Sequence, residues 1–143
     1  MKRRIFLLLA SVAFVLSVGA QTPLKQRLEA LERAVEVTPL KSTRFDEKYE
    51  LILRQPLDWQ APEKGAFERR VVVFHAGYDR PTILITEGYG AKYAYRPEYR
   101  EELSQLFDAN IVVVEHRYFL GSTPQPRDWC YLTAEASARD LHD

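Results

Sequence analysis

The stretch VVVEHRYFLGSTP, from Val112 to Pro124, decides the fold. Its first four residues and the two residues before them form a continuous β-branched run from Asn110 to Glu115, as expected for a strand buried on both faces. The run stops at Glu115-His116-Arg117, and two aromatic residues and a glycine turn follow. Because α/β enzymes keep their chemistry at strand ends, this point is a candidate site rim; an ordinary solvated turn is the alternative.

Three earlier segments also have strand patterns. Alternation on one face predicts a first, half-buried strand through Phe45, Glu47, Tyr49, Leu51 and Leu53. A second strand is predicted from Phe67 to His75, and it forms a hairpin with the first. A third, short and apolar, runs from Thr82 to Thr86.

Helical patterns occur at the beginning, middle and end of this series. An amphipathic helix is predicted from Thr22 until Pro39 ends it, with an apolar stripe at Leu24, Leu28, Leu31 and Val35. A second helix is predicted from Pro97 to about Phe107, and Thr133 is expected to cap a third. The order helix, strand, strand, strand, helix, strand, helix predicts an α/β fold with a mixed, mostly parallel sheet and flanking helices.

The first twenty residues have the features of a secretory signal. A basic start at Lys2-Arg3-Arg4 precedes an apolar run from Ile5 to Val18, and small residues lie near Ala20, where cleavage is expected. An uncleaved anchor is the alternative. Loss of the three basic residues takes the formal charge from 0 to −3. We therefore expect a secreted or periplasmic protein that meets the membrane only through this segment during export.

The sequence divides into a signal segment (1–20), an N-terminal helix and linker (21–44) and a larger domain (45–143). Its formal charge of 0 gives no support for a nucleic-acid partner. No two of its three histidines have the spacing of metal ligands, so we expect no metal and no other cofactor. Whether the single cysteine, Cys130, forms a disulfide stays open.

Four motifs resemble the start of secreted serine exopeptidases with the α/β-hydrolase fold. They are QPLDW (55–59), FERRVVVFHAG (67–77), ILITEGYG (83–90) and VVVEHRYFLGSTP (112–124). The chain is most similar to the PS-ten family of tripeptidyl aminopeptidases, which is related to the prolyl carboxypeptidase and dipeptidyl peptidase group. It departs from that group at Trp59, where the group has histidine, and at Leu120, which precedes the glycine.

The resemblance implies a peptidase that releases short peptides from free N-termini, with peptide substrates as its partners. It implies that the catalytic serine, on a sharp strand-to-helix turn, follows the next strand, and that the acid and histidine come later. The final helix has no stop signal through Asp143, so the sequence is expected to be an N-terminal fragment that ends before this turn and is itself inactive. The resemblance also implies a strand order of 1-2-4-3-5.

By the same resemblance, no catalytic side chain is present, and a backbone N–H of the loop Gly88-Tyr89-Gly90 helps to form an oxyanion hole. A plain strand-ending turn is the alternative. Four tyrosines lie close together in the sequence, and they either line a peptide cleft or pack under a cap: Tyr89, Tyr93, Tyr95 and Tyr99.

The candidate substrate-binding residues are Tyr89, Tyr93, Glu115, His116 and Arg117. Glu115-His116-Arg117 is interpreted mainly as a structural polar cluster at the mouth of the site. Neighbours along a strand point to opposite faces, so Glu115 is not expected to orient His116 directly. The alternative to a peptidase is a small exported, non-catalytic binding domain that uses the tyrosine-rich loop.

Overall fold

The computed structural model describes residues 23–142, apart from the side chain of Glu87. The predicted signal segment lies outside these residues. The helices are α1 (Leu24–Glu29), α2 (Glu102–Phe107) and α3 (Ala134–His142), and the strands are β1 (Ala34–Pro39), β2 (Glu47–Pro56), β3 (Ala66–His75), β4 (Thr82–Glu87) and β5 (Asn110–Glu115). Short 3₁₀ turns occur at Pro62–Lys64, Lys92–Tyr95, Leu120–Ser122 and Trp129–Tyr131.

The five strands form one mixed sheet in the order β1-β2-β3-β5-β4. Counted from β2, the four predicted strands therefore lie in the order 1-2-4-3. The pairs β1–β2, β2–β3 and β3–β5 are antiparallel, and β4–β5 is parallel. The predicted α/β class is confirmed, but the prediction of a mostly parallel sheet is wrong for the described residues. A parallel pair needs a crossover connection, and only the segment between β4 and β5, which contains α2, supplies one here.

The predicted N-terminal helix is much shorter than expected. It ends at Glu29, and residues 34–39 form β1, which pairs antiparallel with β2 and places Val37 opposite Leu51. Val35, Val37 and Thr38 are β-branched and favour a strand where a sheet edge is free to accept one. Val37 is buried, whereas Val35, assigned to the helical stripe, is 53% exposed. Tertiary pairing thus overrides the helical periodicity.

The strands β2, β3, β4 and β5 agree with the sequence prediction to within about two residues, apart from a slightly longer end of β2. The hairpin pairs β2 with β3 in register from Glu47 opposite His75 to Pro56 opposite Ala66. The helix α2 begins at Glu102 instead of Pro97, because the Glu101 carboxylate accepts hydrogen bonds from the backbone N–H groups of Leu103 (2.6 Å) and Ser104 (3.2 Å).

The predicted cap of the last helix is confirmed. The Thr133 hydroxyl accepts a hydrogen bond from the Ala136 N–H at 3.1 Å, at the start of α3. Within residues 23–142, no helix is long and apolar enough to cross a membrane.

Apolar side chains cover both faces of the sheet. One face carries the buried cluster Val72, Phe74, Ala91, Ala94, Ile111 and Val113, and the other carries Val37, Leu51, Val71 and Val114. The strand β5 contributes to both clusters, as predicted for a strand buried on both faces. This packing fixes the carboxyl ends of β4 and β5, where the candidate site lies.

Candidate functional site

The candidate site lies at the carboxyl ends of β4 and β5. These strands are parallel and pair Thr86 with Val114 and Glu87 with Glu115. The loop after β4, Gly88-Tyr89-Gly90, therefore comes next to the loop after β5, which begins at His116. This placement is what adjacent parallel strands impose, since their carboxyl ends meet at one edge of the sheet.

Glu115 ties these two loops together. Its side chain is buried, and one carboxylate oxygen accepts a hydrogen bond from the Ala91 N–H at 3.3 Å. The other oxygen accepts from the Ser122 N–H at 3.1 Å and from the Ser122 hydroxyl at 2.9 Å. The carboxylate therefore binds one residue of the loop after β4 and one residue of the loop after β5. These hydrogen bonds fix the spacing of the two loops.

The two glycines of the loop after β4 have different surroundings. A Cβ at Gly90 would lie 2.1 Å from Leu120 Cδ1, so a side chain there would collide with the neighbouring loop. A Cβ at Gly88 would meet nothing within 4 Å. A side chain at position 90 would therefore require the Leu120 side chain to move, whereas the space beside Gly88 is open for another group.

Three rings line the edge between these loops. Tyr89 and Phe119 meet edge to face with centroids 5.5 Å apart, and His116 and Phe119 do so at 5.8 Å. Tyr89 is 73% exposed. We call Tyr89, His116 and Phe119 the aromatic ledge. Phe119 was not among the predicted site residues, although the aromatic pair that follows Arg117 is visible in the sequence.

His116 has a defined tautomer in this arrangement. Its Nδ1 lies 2.8 Å from the carbonyl oxygen of Arg117. A carbonyl oxygen can only accept, so Nδ1 carries the hydrogen and donates it. In the neutral ring, Nε2 is then left as a hydrogen-bond acceptor.

The other tyrosines of the predicted group are packed against the sheet. Tyr93 and Tyr99 contact each other at 5.0 Å between centroids, and Tyr99 contacts Phe74 at 5.5 Å. The Tyr95 hydroxyl donates to Glu50 Oε1 at 2.7 Å. Burial raises the pKa of the Tyr95 hydroxyl, and the Glu50 carboxylate raises it further. The structure therefore does not bring Tyr93 to the aromatic ledge; of the four tyrosines, Tyr89 is the one on it.

Arg117 points away from the ledge into the protein, where it is 1% exposed. It forms a bidentate pair with Asp140 of α3: Nε donates to Oδ2 and Nη2 to Oδ1, both at 2.7 Å. Its Nη1 also donates to the carbonyl oxygens of Tyr131 (2.7 Å) and Leu57 (3.2 Å). Arg117 thus joins the QPLDW segment, the loop before α3 and α3 itself to the end of β5.

Two further residues complete this buried cluster. The indole N–H of Trp59 donates to Asp140 Oδ1 at 2.8 Å. Arg69 donates to the backbone oxygen of Glu115 at 3.2 Å and to that of Asp140. Burial lowers the pKa of Arg69, Asp140 opposes this change, and Arg117 adds to it. We call Trp59, Arg69, Arg117 and Asp140 the Asp140 clamp. The sequence alone predicts no contact of Asp140.

A separate cleft of about 500 Å³ lies between the QPLDW segment and the start of α3. Its walls include Trp59, Lys64, Cys130 and Glu135, and none of the ledge residues lines it. The thiol of Cys130 is exposed and free, and its contact with Asp128 raises its pKa. Within residues 23–142, no three histidine, cysteine, aspartate or glutamate side chains are placed to hold a metal ion.

Comparison with known proteins gives a match over the whole described part of the chain. The family model for PS-10 peptidase S37 matches residues 23–143. The prolyl tri/tetrapeptidyl aminopeptidase of Streptomyces mobaraensis is 36% identical to the chain over 124 residues, which cover 85% of this chain and 25% of that protein. The chain therefore matches about a quarter of the length of this curated relative.

Proposed function

The chain belongs to the PS-10 peptidase S37 family, and from this premise we propose that it is the N-terminal part of a secreted serine peptidase that removes short peptides from free N-termini. The observation that carries this proposal is the family match from residue 23 onward. The strand order 1-2-4-3, counted from β2, supports an α/β-hydrolase sheet. The alternative of a small non-catalytic binding domain has no observation in its favour.

In the proposed reaction, a serine oxygen attacks the carbonyl carbon of the substrate, and the carbonyl oxygen becomes negatively charged. In this proposal, the backbone N–H of Tyr89 in the loop after β4 stabilises this charge, and the open space beside Gly88 supports the assignment. A histidine takes the serine proton and passes it to the leaving amine, and water then releases the peptide. We propose that sequence following Asp143 supplies the serine, the acid and this histidine.

Apart from this backbone N–H group, the chain contributes by positioning its loops and α3. Glu115 holds the loops after β4 and β5 at a fixed spacing, and the Asp140 clamp fixes α3 against the sheet. In the proposed fold, α3 leads into the strand that carries the nucleophile, so the clamp sets the start of that connection. A preorganised loop needs no rearrangement when charge develops, which is why such sites are effective.

The test uses protein expressed from the complete reading frame. We expect it to release nitroaniline from tripeptide nitroanilides with a free N-terminus and not from the N-acetylated forms. We expect a serine-directed organophosphonate to abolish the release. Residues 21–143 alone serve as the matched control and should be inactive. Equal cleavage of acetylated substrates would contradict the aminopeptidase proposal, and resistance to the phosphonate would contradict the serine mechanism.

A further inference from the structure

We infer that Leu120 is a positioning residue for the proposed reaction. Its side chain, carried on a strained backbone, packs against Gly90 and thereby fixes the neighbouring Tyr89 N–H group. This inference rests on the proposed function. It assigns a role to a side chain of the loop after β5, whereas the proposed oxyanion hole concerns only a backbone group of the loop after β4.

Leu120 has a backbone conformation that leucine rarely adopts. Its φ angle is 41°, and that of Tyr118, two residues earlier, is 70°. In this left-handed region, the Cβ atom of any residue other than glycine lies too close to the following carbonyl oxygen. Glycine would adopt the same conformation without strain, so the fold places a leucine side chain here at a cost in stability.

The surrounding loop holds this strained conformation in place. The Tyr118 N–H donates to the Ser122 carbonyl oxygen at 2.9 Å, and the Ser122 N–H donates to the Phe119 carbonyl oxygen at 2.8 Å. The Ser122 hydroxyl donates to Glu115 at 2.9 Å and accepts from the Arg70 N–H at 3.0 Å. Strained backbone persists only where such contacts overdetermine it, and it is concentrated at functional sites.

The Leu120 side chain packs against the loop after β4. A Cβ atom added at Gly90 would fall in the space that Leu120 Cδ1 occupies. At the next residue, the Ala91 N–H donates to Glu115 at 3.3 Å. The backbone that follows Tyr89 is thus fixed at two consecutive residues, once by packing and once by a hydrogen bond. Leu120 is 47% exposed, so burial in the core does not account for its placement.

This packing has a consequence for the proposed chemistry. The Tyr89 N–H bonds most strongly to the substrate oxygen once that oxygen is charged, in the transition state. Looser placement of this donor should therefore lower kcat and leave KM unchanged. Removal of one oxyanion donor costs about 100-fold or more in kcat, so a displaced donor should cost part of that factor. A leucine that only bound the substrate would affect KM instead.

The experiment measures kcat and KM separately on protein from the complete reading frame, with a tripeptide nitroanilide that has a free N-terminus. The value of kcat is expressed per active site, titrated with the serine-directed organophosphonate, so unfolded protein does not count. We expect Leu120→Ala and Leu120→Gly each to lower kcat by about 10-fold and to change KM by less than about twofold. Leu120→Met keeps the reach of the side chain and should retain most of kcat.

Asp108→Gly is the matched control. Asp108 also has a positive φ angle, 50°, but it lies between α2 and the first residue of β5, at the opposite end of this strand from the site. The substitution relieves the same kind of backbone strain and should leave kcat and KM unchanged.

A second substitution tests the contact itself. Gly90 has no left-handed φ angle, so its backbone accepts alanine, and only packing opposes the added methyl group. Gly90→Ala alone should lower kcat by about 10-fold. In the Leu120→Ala background the methyl group has room, and the same substitution should lower kcat by less than about twofold. If the two effects simply multiply in the double variant, the contact does not position the loop.

The outcomes separate the inference from the proposed function. If the wild-type protein releases no nitroaniline, the proposed function fails, and the inference fails with it. If the wild type is active but Leu120→Ala and Leu120→Gly raise KM at unchanged kcat, or change neither, Leu120 is not a positioning residue and the proposed function stands. An equal fall in kcat for Asp108→Gly would also overturn the inference.

Discussion

The Asp140 carboxylate joins parts of the chain that are far apart in the sequence. It accepts from Arg117, which is 23 residues away in sequence, and from Trp59, 81 residues away. Its backbone oxygen accepts from Arg69. The two guanidinium groups are buried, so this carboxylate and nearby carbonyl oxygens compensate for the loss of their contact with water.

The substitution Asp140→Asn should destabilise the folded protein strongly. It keeps the shape of the side chain but leaves two buried arginines without their carboxylate, and breaking one side of a buried ion pair costs roughly 3–5 kcal/mol. Urea unfolding followed by circular dichroism measures the effect on protein from the complete reading frame. Glu135→Gln, an exposed acid-to-amide change on the same helix, is the control and should change stability by less than about 0.5 kcal/mol. Equal unfolding midpoints for the two variants would contradict the clamp.

Because of Tyr95, the stability of the folded protein should depend on pH in alkaline solution. Burial and Glu50 raise the pKa of its hydroxyl above the ordinary value of 10.0, so the folded protein keeps a proton that the unfolded chain loses. The stabilisation is complete below pH 10 and is lost as the pH rises from there toward the higher pKa of the folded state. The difference in melting temperature between wild type and Tyr95→Phe should therefore shrink or reverse between pH 9 and pH 11.

The same scan on Tyr89→Phe provides the control, because Tyr89 is 73% exposed, whereas the Tyr95 hydroxyl donates to the Glu50 carboxylate. The change with pH in the difference from wild type should be larger for Tyr95→Phe than for Tyr89→Phe. Groups common to all three proteins cancel in these differences. A constant difference for Tyr95→Phe would contradict the assigned role of the Tyr95–Glu50 contact.

At the level of elements, the start of α2 depends on Glu101, the residue directly before the helix. Glu101 caps two backbone N–H groups, and the Ser104 hydroxyl in turn donates to the Glu101 carbonyl oxygen at 2.7 Å. The helix has only six residues, so it has little intrinsic stability of its own. Its start at Glu102, five residues later than Pro97, follows from this cap.

Removal of the cap should loosen α2. We expect Glu101→Ala to lower the free energy of unfolding by about 1 kcal/mol, the usual cost of losing an N-cap side chain. Glu102→Ala removes a neighbouring carboxylate that does not cap the helix, and about half that loss or less is expected. Hydrogen exchange of the Leu103 and Ser104 amides gives a local measurement. Unchanged protection of these amides in Glu101→Ala would contradict the assignment.

The elements also show what the sequence could and could not predict. The strands β2 to β5 follow from alternation or from β-branched runs, which are local signals. The strand β1 was predicted as helix because Leu24, Leu28, Leu31 and Val35 have helical spacing, and its strand state depends on pairing with β2, a contact between distant residues.

In the candidate site, too, some features could be predicted from the sequence and others could not. The placement of Tyr89 and His116 at one edge of the sheet was predictable, since they follow neighbouring strands of a parallel pair. The ring contacts of Phe119 and the bonds of Asp140 were not, because they depend on loop conformation and on helix docking. Sequence patterns specify elements well, and side-chain partners across elements poorly.

At the scale of the whole molecule, the two edges of the sheet differ. On the β1 edge, pairing with β2 shifts register between Ala34 and Glu36, and the strand ends at Pro39. Bulges and prolines protect an edge from pairing with other chains. On the other edge, β4 has no such feature among the described residues, and its Leu84 is 51% exposed. Leu103, Leu106 and Phe107 of α2 are also exposed.

Residues 21–143 in isolation should therefore self-associate and lack a sharp cooperative melt, because the β4 edge offers free backbone groups beside apolar side chains. Leu84→Lys places a charge on this edge and should raise the monomer fraction measured by light scattering. Val35→Lys, an exposed apolar residue on the protected β1 edge, is the matched control and should have little effect. A monomeric wild-type segment with a single cooperative calorimetric transition would contradict the prediction. Equal rescue by both lysines would show instead that net charge, and not the β4 edge, governs association.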